Sequence, residues 1–337
     1  MTIGTLKMTT KDKTISKIIN IAIINYEHAL ASSIIGMLDI FSIVNNFCLV
    51  NEECAKFHVD ILHTHHEIKN FNVQINFNSK PLNDATNYDL IIIPPLIDLE
   101  HKFETDLAFL EWLKQHNKKG THITSVCIGA YVLAQAKLLD DKYATSHWVI
   151  EKKIKQDFPK VKLEIDKLIV EDGNIITAGG VSAYIDLCLY ITRKFISKEV
   201  SYICANYLGV DAGRTSQQHY KNLTLFSSDN SDIQKVLQYL KQSFKEPITL
   251  KDMAKIISVS ERTFIRYFKK STGELPNQYL QKLRVEEAKR LLLCTMDSFE
   301  YITHSVGYSN TSNFRSLFKK LTGVNPKQYR EYFMVKT

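Results

Sequence analysis

The sequence predicts two folds in one chain: an open α/β parallel-sheet domain of flavodoxin-like type, followed by an all-α domain built as a tandem helix-turn-helix. Three observations predict this. Short β-branched runs alternate with helical stretches over the first two hundred residues, one string of residues occurs twice near the end, and the excess positive charge is confined to the last third. Residues 231–337 hold 19 Lys+Arg against 10 Asp+Glu, a net of +9, and the remaining 24 Lys+Arg and 26 Asp+Glu leave residues 1–230 at −2. Lys and Arg gain affinity for a polyanion by releasing its counterions, so this partition points to one domain that meets nucleic acid and one that does not.

A length of 337 residues suits two domains. With 45% hydrophobic and 23% charged residues there is apolar material for two cores, which excludes a disordered chain. No uninterrupted apolar run approaches the roughly 18 to 20 residues of a membrane span. The polar residues 1–16 lack the apolar centre of a signal peptide and read as a flexible tail. A cytoplasmic location with no membrane partner is expected. The cysteines Cys48, Cys54, Cys127, Cys188, Cys204 and Cys294 show no CxxC spacing, which fits a reducing compartment.

The runs KIINIAIIN, KFHVDILH, YDLIIIPP and HITSV carry the β-branched residues of buried strands, and ASSIIGMLDIFSIVN and DLAFLEWLKQH between them read as helices. The result is a sheet covered on both faces, whose ligand crevices belong at the carboxyl ends of the strands. Two strings fall at such ends. In S-V-C-I-G-A, Cys127 sits at a sharp strand-to-helix turn of nucleophile-elbow type, where a helix dipole favours the thiolate. The same spacing also suits a small apolar residue buried in a tight turn. In A-T-S-H-W, His147 either approaches Cys127 in space or is a structural ring. His63, His65 and His66 lie close together at a strand end, but alternation sends neighbours to opposite faces, so no metal site is assigned. Arg214, in ANYLGVDAGRTSQQHY, either holds a carboxylate ligand or pairs with an acidic residue across the domain interface.

The polar string NLTLFSSDNSD reads as a linker over residues 222–231, leaving 17–221 to the first domain and 232–335 to the second. Ser231 or Asp232 is placed to cap a helix with Ile233, Val236, Leu237, Leu240 and Phe244 on one face, and Pro247 ends it. The repeated string then occupies residues 250–273 and 299–323, each copy ending F-K-K-x-T-G. In each, a short amphipathic helix meets a tight connection and a second helix. The second helix opens at Ser260, or at Ser309 or Asn310, and closes at Gly273 or Gly323. Phe264, Phe268, Phe314, Leu317 and Phe318 recur at three- and four-residue steps and belong to the core.

Facing away are Arg262, Thr263 and Arg266 in the first copy and Thr311, Ser312, Asn313, Arg315 and Ser316 in the second. In helix-turn-helix geometry these side chains enter the major groove of double-stranded DNA. Arg can grip guanine and Asn adenine through paired hydrogen bonds. Lys269, Lys270, Lys319 and Lys320 suit either phosphate contact or simple solvation at a helix C-terminus. One long helix over residues 274–295 spaces the two copies.

These strings carry two resemblances. Residues 232–335 resemble the DNA-binding module of the AraC/XylS transcription regulators, through LKDMAKIISVSERTFIRYFKKSTG, RVEEAKRLL, ITHSVGYSNTSNF and FKKLTGVNPKQYR. Residues 18–220 resemble class I glutamine amidotransferase-like domains of DJ-1/PfpI type, through ASSIIGMLDIF, SVCIGAYVLA, ATSHW and AGGVSAYIDL. The first implies two recognition helices in successive major grooves, transcription activation and contact with RNA polymerase. The second implies a sensor for a small-molecule effector, with nitrogen-containing metabolites suggested, and paired DNA half-sites favour a homodimer joined through the α/β domain.

Departures from the catalytic members weigh against an enzyme. Ile128 follows Cys127 where protease-like members have His, and the strand-one acidic residue is replaced near Ser32 and Ser33. Without a base or carboxylate beside it, a nucleophile loses its activating group. No catalytic residue and no cofactor is therefore assigned, and Cys127, Ile128, His147 and Ser33 are read as a ligand pocket. Two other classes remain: a cysteine-dependent amidase, peptidase or glyoxalase-like enzyme, and a redox sensor using an exposed low-pKa Cys127.

Overall fold

The computed structural model describes residues 17–50, 55–64, 77–82, 87–97, 105–223 and 230–333. Contacts divide the chain into two units, residues 1–215 and 216–337.

The first unit holds strands β1 (Lys17–Asn25), β2 (Ala55–His63), β3 (Lys80–Pro81), β4 (Leu90–Ile93), β5 (His122–Val126), β6 (Tyr143–Ala144), β7 (Lys162–Leu163), β8 (Ile169–Asp172) and β9 (Ile175–Ala178). Its helices are α1 (Ala31–Val50), α2 (Leu107–Lys118), α3 (Ala130–Gln135), α4 (Glu151–Asp157), α5 (Ala183–Phe195) and α6 (Lys198–Leu208). Seven strands form one sheet in the order β3-β2-β1-β4-β5-β9-β8, with β6 and β7 paired separately. Every neighbour pair in the large sheet is parallel except β8 with β9. The expected open α/β sheet is present.

The chain leaves central β1 toward β2 and returns on the other side at β4, which puts a topological switch point between β1 and β4. There the Tyr26 hydroxyl donates to the Pro94 carbonyl at 2.8 Å. Near-continuous apolar strands fit a sheet covered on both faces: Ile21, Ile23, Leu90, Ile91 and Ile92 are fully buried.

Helix α1 differs from what run length suggests. Its stretch 31–49 is long and apolar enough to cross a membrane by length and composition, because Ser, Gly and Asn interrupt the run but Asp39 is its one charge. Within this fold Ile34, Met37, Phe41 and Val44 are buried in the core of the first unit. The His cluster is only partly described: His63 Nδ1 pairs with Ser79 Oγ at 2.9 Å, while His65 and His66 lie outside the described residues. Among the described residues no three His, Cys, Asp or Glu are grouped to hold a metal.

The second unit contains α7 (Ser231–Ser243), α8 (Leu250–Ile256), α9 (Glu261–Thr272), α10 (Pro276–Cys294), α11 (Phe299–Ser305), α12 (Thr311–Thr322) and α13 (Pro326–Phe333). Asn230 caps α7, its side chain accepting from Asp232 and Ile233, so the cap falls one residue before the expected Ser231. Two separate cores share α10. Tyr279, Leu280 and Leu283 join Ile233, Phe264 and Phe268 in one. Val285, Ala288 and Leu292 join Ile302, Phe314 and Phe318 in the other.

Between the cores, Arg284 donates to the carbonyls of Phe244 at 2.8 Å and Glu246 at 2.9 Å, and its guanidinium lies 5.2 Å from the Tyr308 ring centre. Gly307, at φ +84°, approaches the Lys245 carbonyl so closely that a Cβ would lie 2.3 Å from its oxygen. These contacts hold the two helix-turn-helix halves in one arrangement.

Candidate nucleic-acid interface and ligand crevice

Each repeat folds as the same device. Ser260 accepts from the Thr263 N–H to open α9, Asn310 accepts from the Asn313 N–H to open α12, and left-handed Gly273 and Gly323 close them. Asn310, not Ser309, takes the second cap. On α9, Phe264 and Phe268 face inward while Arg262 and Arg266 are exposed; on α12, Phe314 and Phe318 face inward while Ser312, Asn313, Arg315 and Ser316 are exposed. Thr263 and Thr311 are half-buried.

Two of the hydroxyls are already engaged. Thr263 Oγ1 accepts from Ser260 Oγ at 3.0 Å, and Ser316 Oγ donates back to the Ser312 carbonyl at 3.1 Å. The arginines are braced by aromatic rings: Arg266 lies 5.5 Å from the Tyr267 centre and Arg315 5.5 Å from that of Phe299. Such stacking limits the freedom a guanidinium must lose on binding. Lys269, Lys270, Lys319 and Lys320 are exposed at the helix C-termini.

In the first unit, Cys127 follows β5 at φ +58°, the strained turn of an elbow. Gly129 fits because a Cβ there would stand 2.9 Å from the Pro94 carbonyl oxygen. The thiol, however, is not activated. Cys127 is 1% exposed, and burial pushes its pKa up to about 12 against a weaker opposing hydrogen bond from the Ile128 backbone. Of the two readings of this turn, a small residue buried in it fits the burial, and a thiolate at a helix terminus does not. A three-residue 3-10 turn, Cys127–Gly129, stands between the strand and the six-residue α3, and desolvation of the sulfur disfavours its charged form. Nearby Tyr26 is buried, and its phenol is held well above the ordinary value by burial and then by Cys127.

Each of the other pocket candidates has its own surroundings. Ile128 is buried. Ser33 is fully buried, its hydroxyl donating to the Leu30 carbonyl at 2.7 Å. His147 is half-buried and caps a 3-10 turn by accepting from the Val149 N–H at 3.1 Å. Burial lowers its pKa to about 4, so it is neutral at neutral pH. It makes no hydrogen bond to Cys127 among the described residues; instead its neighbour Ser146 donates Oγ to the Cys127 carbonyl at 2.8 Å. Sequence reasoning singled out the histidine of A-T-S-H-W and passed over this serine. Ser125 Oγ, two residues before Cys127, is buried with no hydrogen-bond partner among the described residues. Arg214 pairs through Nε and Nη2 with Asp186 on α5, within the first unit rather than across a domain interface.

Comparison with known proteins matches residues 253–332 to the helix-turn-helix domain family and residues 55–194 to the DJ-1/PfpI family. The HTH-type transcriptional regulator GbdR of Pseudomonas aeruginosa is 26% identical over 222 residues, 65% of this chain and 60% of that protein. The HTH-type transcriptional regulator ArgR of the same organism is 29% identical over 220 residues, 65% of this chain and 67% of that protein. The matched region thus spans 60% of the length of GbdR. The solved structure of an AraC family transcriptional regulator from Pseudomonas putida is 16% identical and covers 56% of this chain and 99% of its own, with a TM-score of 0.49.

Proposed function

We propose that the chain, whose residues 253–332 match the helix-turn-helix domain family and residues 55–194 the DJ-1/PfpI family, is an AraC-type, sequence-specific DNA-binding transcription regulator, an activator controlled by a small molecule. The observation that carries the reading is the repeated cap, helix and glycine device, with Arg262 and Arg266 exposed on α9 and Asn313 and Arg315 on α12. Side chains of these types read base edges in the major groove, and the long α10 presents both helices to one face of the duplex. RNA polymerase is the partner through which activation acts, and a homodimer pairs two such modules on DNA.

The effector occupies the crevice around Cys127, Ile128, His147 and Ser33. The buried Ser125 hydroxyl, without a hydrogen-bond partner among the described residues, supports a ligand there, since such a group costs free energy until it finds a partner. The neutral thiol and neutral imidazole favour recognition by hydrogen bonding and burial over charge pairing, and they deprive covalent catalysis of a nucleophile and a charged acid. The cytoplasm is where the protein meets its DNA.

The reading is tested by incubating the purified chain with fragments of its genome at two salt concentrations and sequencing what it retains. A few promoter-proximal sites sharing a motif, held less tightly at high salt, are expected. Uniform retention without a motif would refute sequence-specific regulation.

A further inference from the structure

A line of hydrogen bonds leads from the elbow to the last residue of the first unit. Ser146 Oγ donates to the Cys127 carbonyl at 2.8 Å. Its neighbour Thr145, fully buried, donates Oγ1 to the Lys167 carbonyl at 2.8 Å. The N–H of that same peptide group, belonging to Leu168, donates to the Thr215 carbonyl at 2.9 Å. The Thr215 carbonyl is half of the peptide group that joins the first unit to the second. Peptide groups bonded in series polarise one another, and a shift of one displaces the next.

Beyond that peptide, residues 216–223 do not run free toward α7. They pack on the second helix-turn-helix half. Gln218 Nε2 donates to the Lys320 carbonyl at 2.9 Å, in the last turn of α12. The same side chain fills the space over Gly323, where a Cβ would stand 2.7 Å from Gln218 Oε1. The buried Lys289 of α10 donates to the Lys221 carbonyl at 2.7 Å, and the Leu223 N–H donates to Glu286 at 3.0 Å. His219 and Tyr220 lie against Phe333 of α13, with ring centres 5.6 and 5.3 Å away. At the matching position of the first repeat, a Cβ built on Gly273 meets nothing within 4 Å among the described residues. Among those residues the strap thus covers the closing glycine of the second repeat and not that of the first, although the two repeats share their closing sequence.

We propose that residues 216–223 are a transmission strap: the hydrogen bonds through Ser146, Thr145 and Thr215, continued by this strap, couple the crevice at Cys127 to the second recognition helix. This rests on the regulator reading and adds its route, in which effector binding acts on α12 and leaves α9 as the anchor. Coupling is reciprocal, so a disturbance at either end is felt at the other even when no ligand is present. That reciprocity makes the route testable without knowing the effector, and a demonstrated coupling is the warrant such a path requires.

The test is amide hydrogen exchange on the full chain, comparing the parent with Gln218→Ala plus Lys289→Met, Thr145→Val and Thr145→Ser. Release of the strap should speed exchange at Leu168 and Thr145 in the first unit by roughly two- to tenfold, the equilibrium worth of one hydrogen bond. Thr145→Val should speed exchange over residues 218–223, and Thr145→Ser, which keeps the hydroxyl, should match the parent. Changes confined to the unit that carries the substitution would overturn the proposal. Should Thr145→Val lose its cooperative melt, the strap variant decides alone. Failure of the parent to retain any DNA selectively would sink the regulator reading, while the exchange result would still decide the coupling.

Discussion

Two glycines with the same backbone conformation differ in what surrounds them, and that contrast measures how the DNA-binding unit holds its halves together. A Cβ built on Gly273, at φ +81°, meets nothing within 4 Å among the described residues; one built on Gly307, at φ +84°, stands 2.3 Å from the Lys245 carbonyl oxygen and 3.3 Å from the Arg284 guanidinium. An L-residue in the left-handed region costs about 1–2 kcal/mol. Restricting the unfolded chain returns about 0.4–1 kcal/mol. Gly273→Ala should therefore cost about 1 kcal/mol. Gly307→Ala carries the same terms plus a backbone clash that must open the contact between the halves, about 1–3 kcal/mol more by the measure of overpacked sites. Urea unfolding followed by far-ultraviolet circular dichroism reads both, since the second unit is all helix among its described residues. The two tryptophans, Trp112 and Trp148, lie in the first unit, so their fluorescence serves as an internal control. Equal costs for the two substitutions, within about 0.5 kcal/mol, would refute the idea that Gly307 sets the spacing of the halves.

Arg266→Ala and Arg315→Ala should each weaken binding to a selected DNA site by about 1–3 kcal/mol, measured by fluorescence anisotropy, with melting unchanged; equal affinity for parent and variant would remove that arginine from the contacts. Cys127, held neutral by a pKa near 12, should resist iodoacetamide at pH 8 in the native chain, whereas exposed Cys294 should react readily, as read by peptide mass spectrometry. Rapid native labelling of Cys127 would contradict its burial. His147 has a folded pKa of about 4 against an ordinary 6.5. The unfolded chain therefore binds the extra proton between those values, and the stability His147 contributes above pH 6.5 is lost as pH falls toward 4. His147→Gln should flatten that part of the stability profile in urea titrations, and an unchanged slope would count against the shift.

Much of this organisation is legible in the sequence because it depends on local pattern. The β-branched runs 17–25 and 122–126 coincide with β1 and β5, and the repeated F-K-K-x-T-G ends at the two left-handed glycines. The β8–β9 hairpin lies outside those runs; its turn signal is the Gly173–Asn174 pair that joins the paired Asp172 and Ile175, with φ +66° at the glycine. What the sequence hid is long-range. The state of Cys127 depends on how completely neighbouring elements exclude water from it, and no spacing rule reports that. Likewise the S-Q-Q-H-Y string looks like the close of the first domain until Gln218 and Leu223 are found packed on α12 and α10. Composition placed the boundary at 221, six residues after the contacts divide the chain at Thr215.

The central claim, that α9 and α12 read successive grooves from one face of the duplex, is met most directly by hydroxyl-radical footprinting of the full chain on a selected fragment. Two protected stretches centred about 10 base pairs apart on the same face are predicted, with Arg266→Ala weakening one and Arg315→Ala the other. A single protected stretch, or two that respond identically to both substitutions, would contradict it.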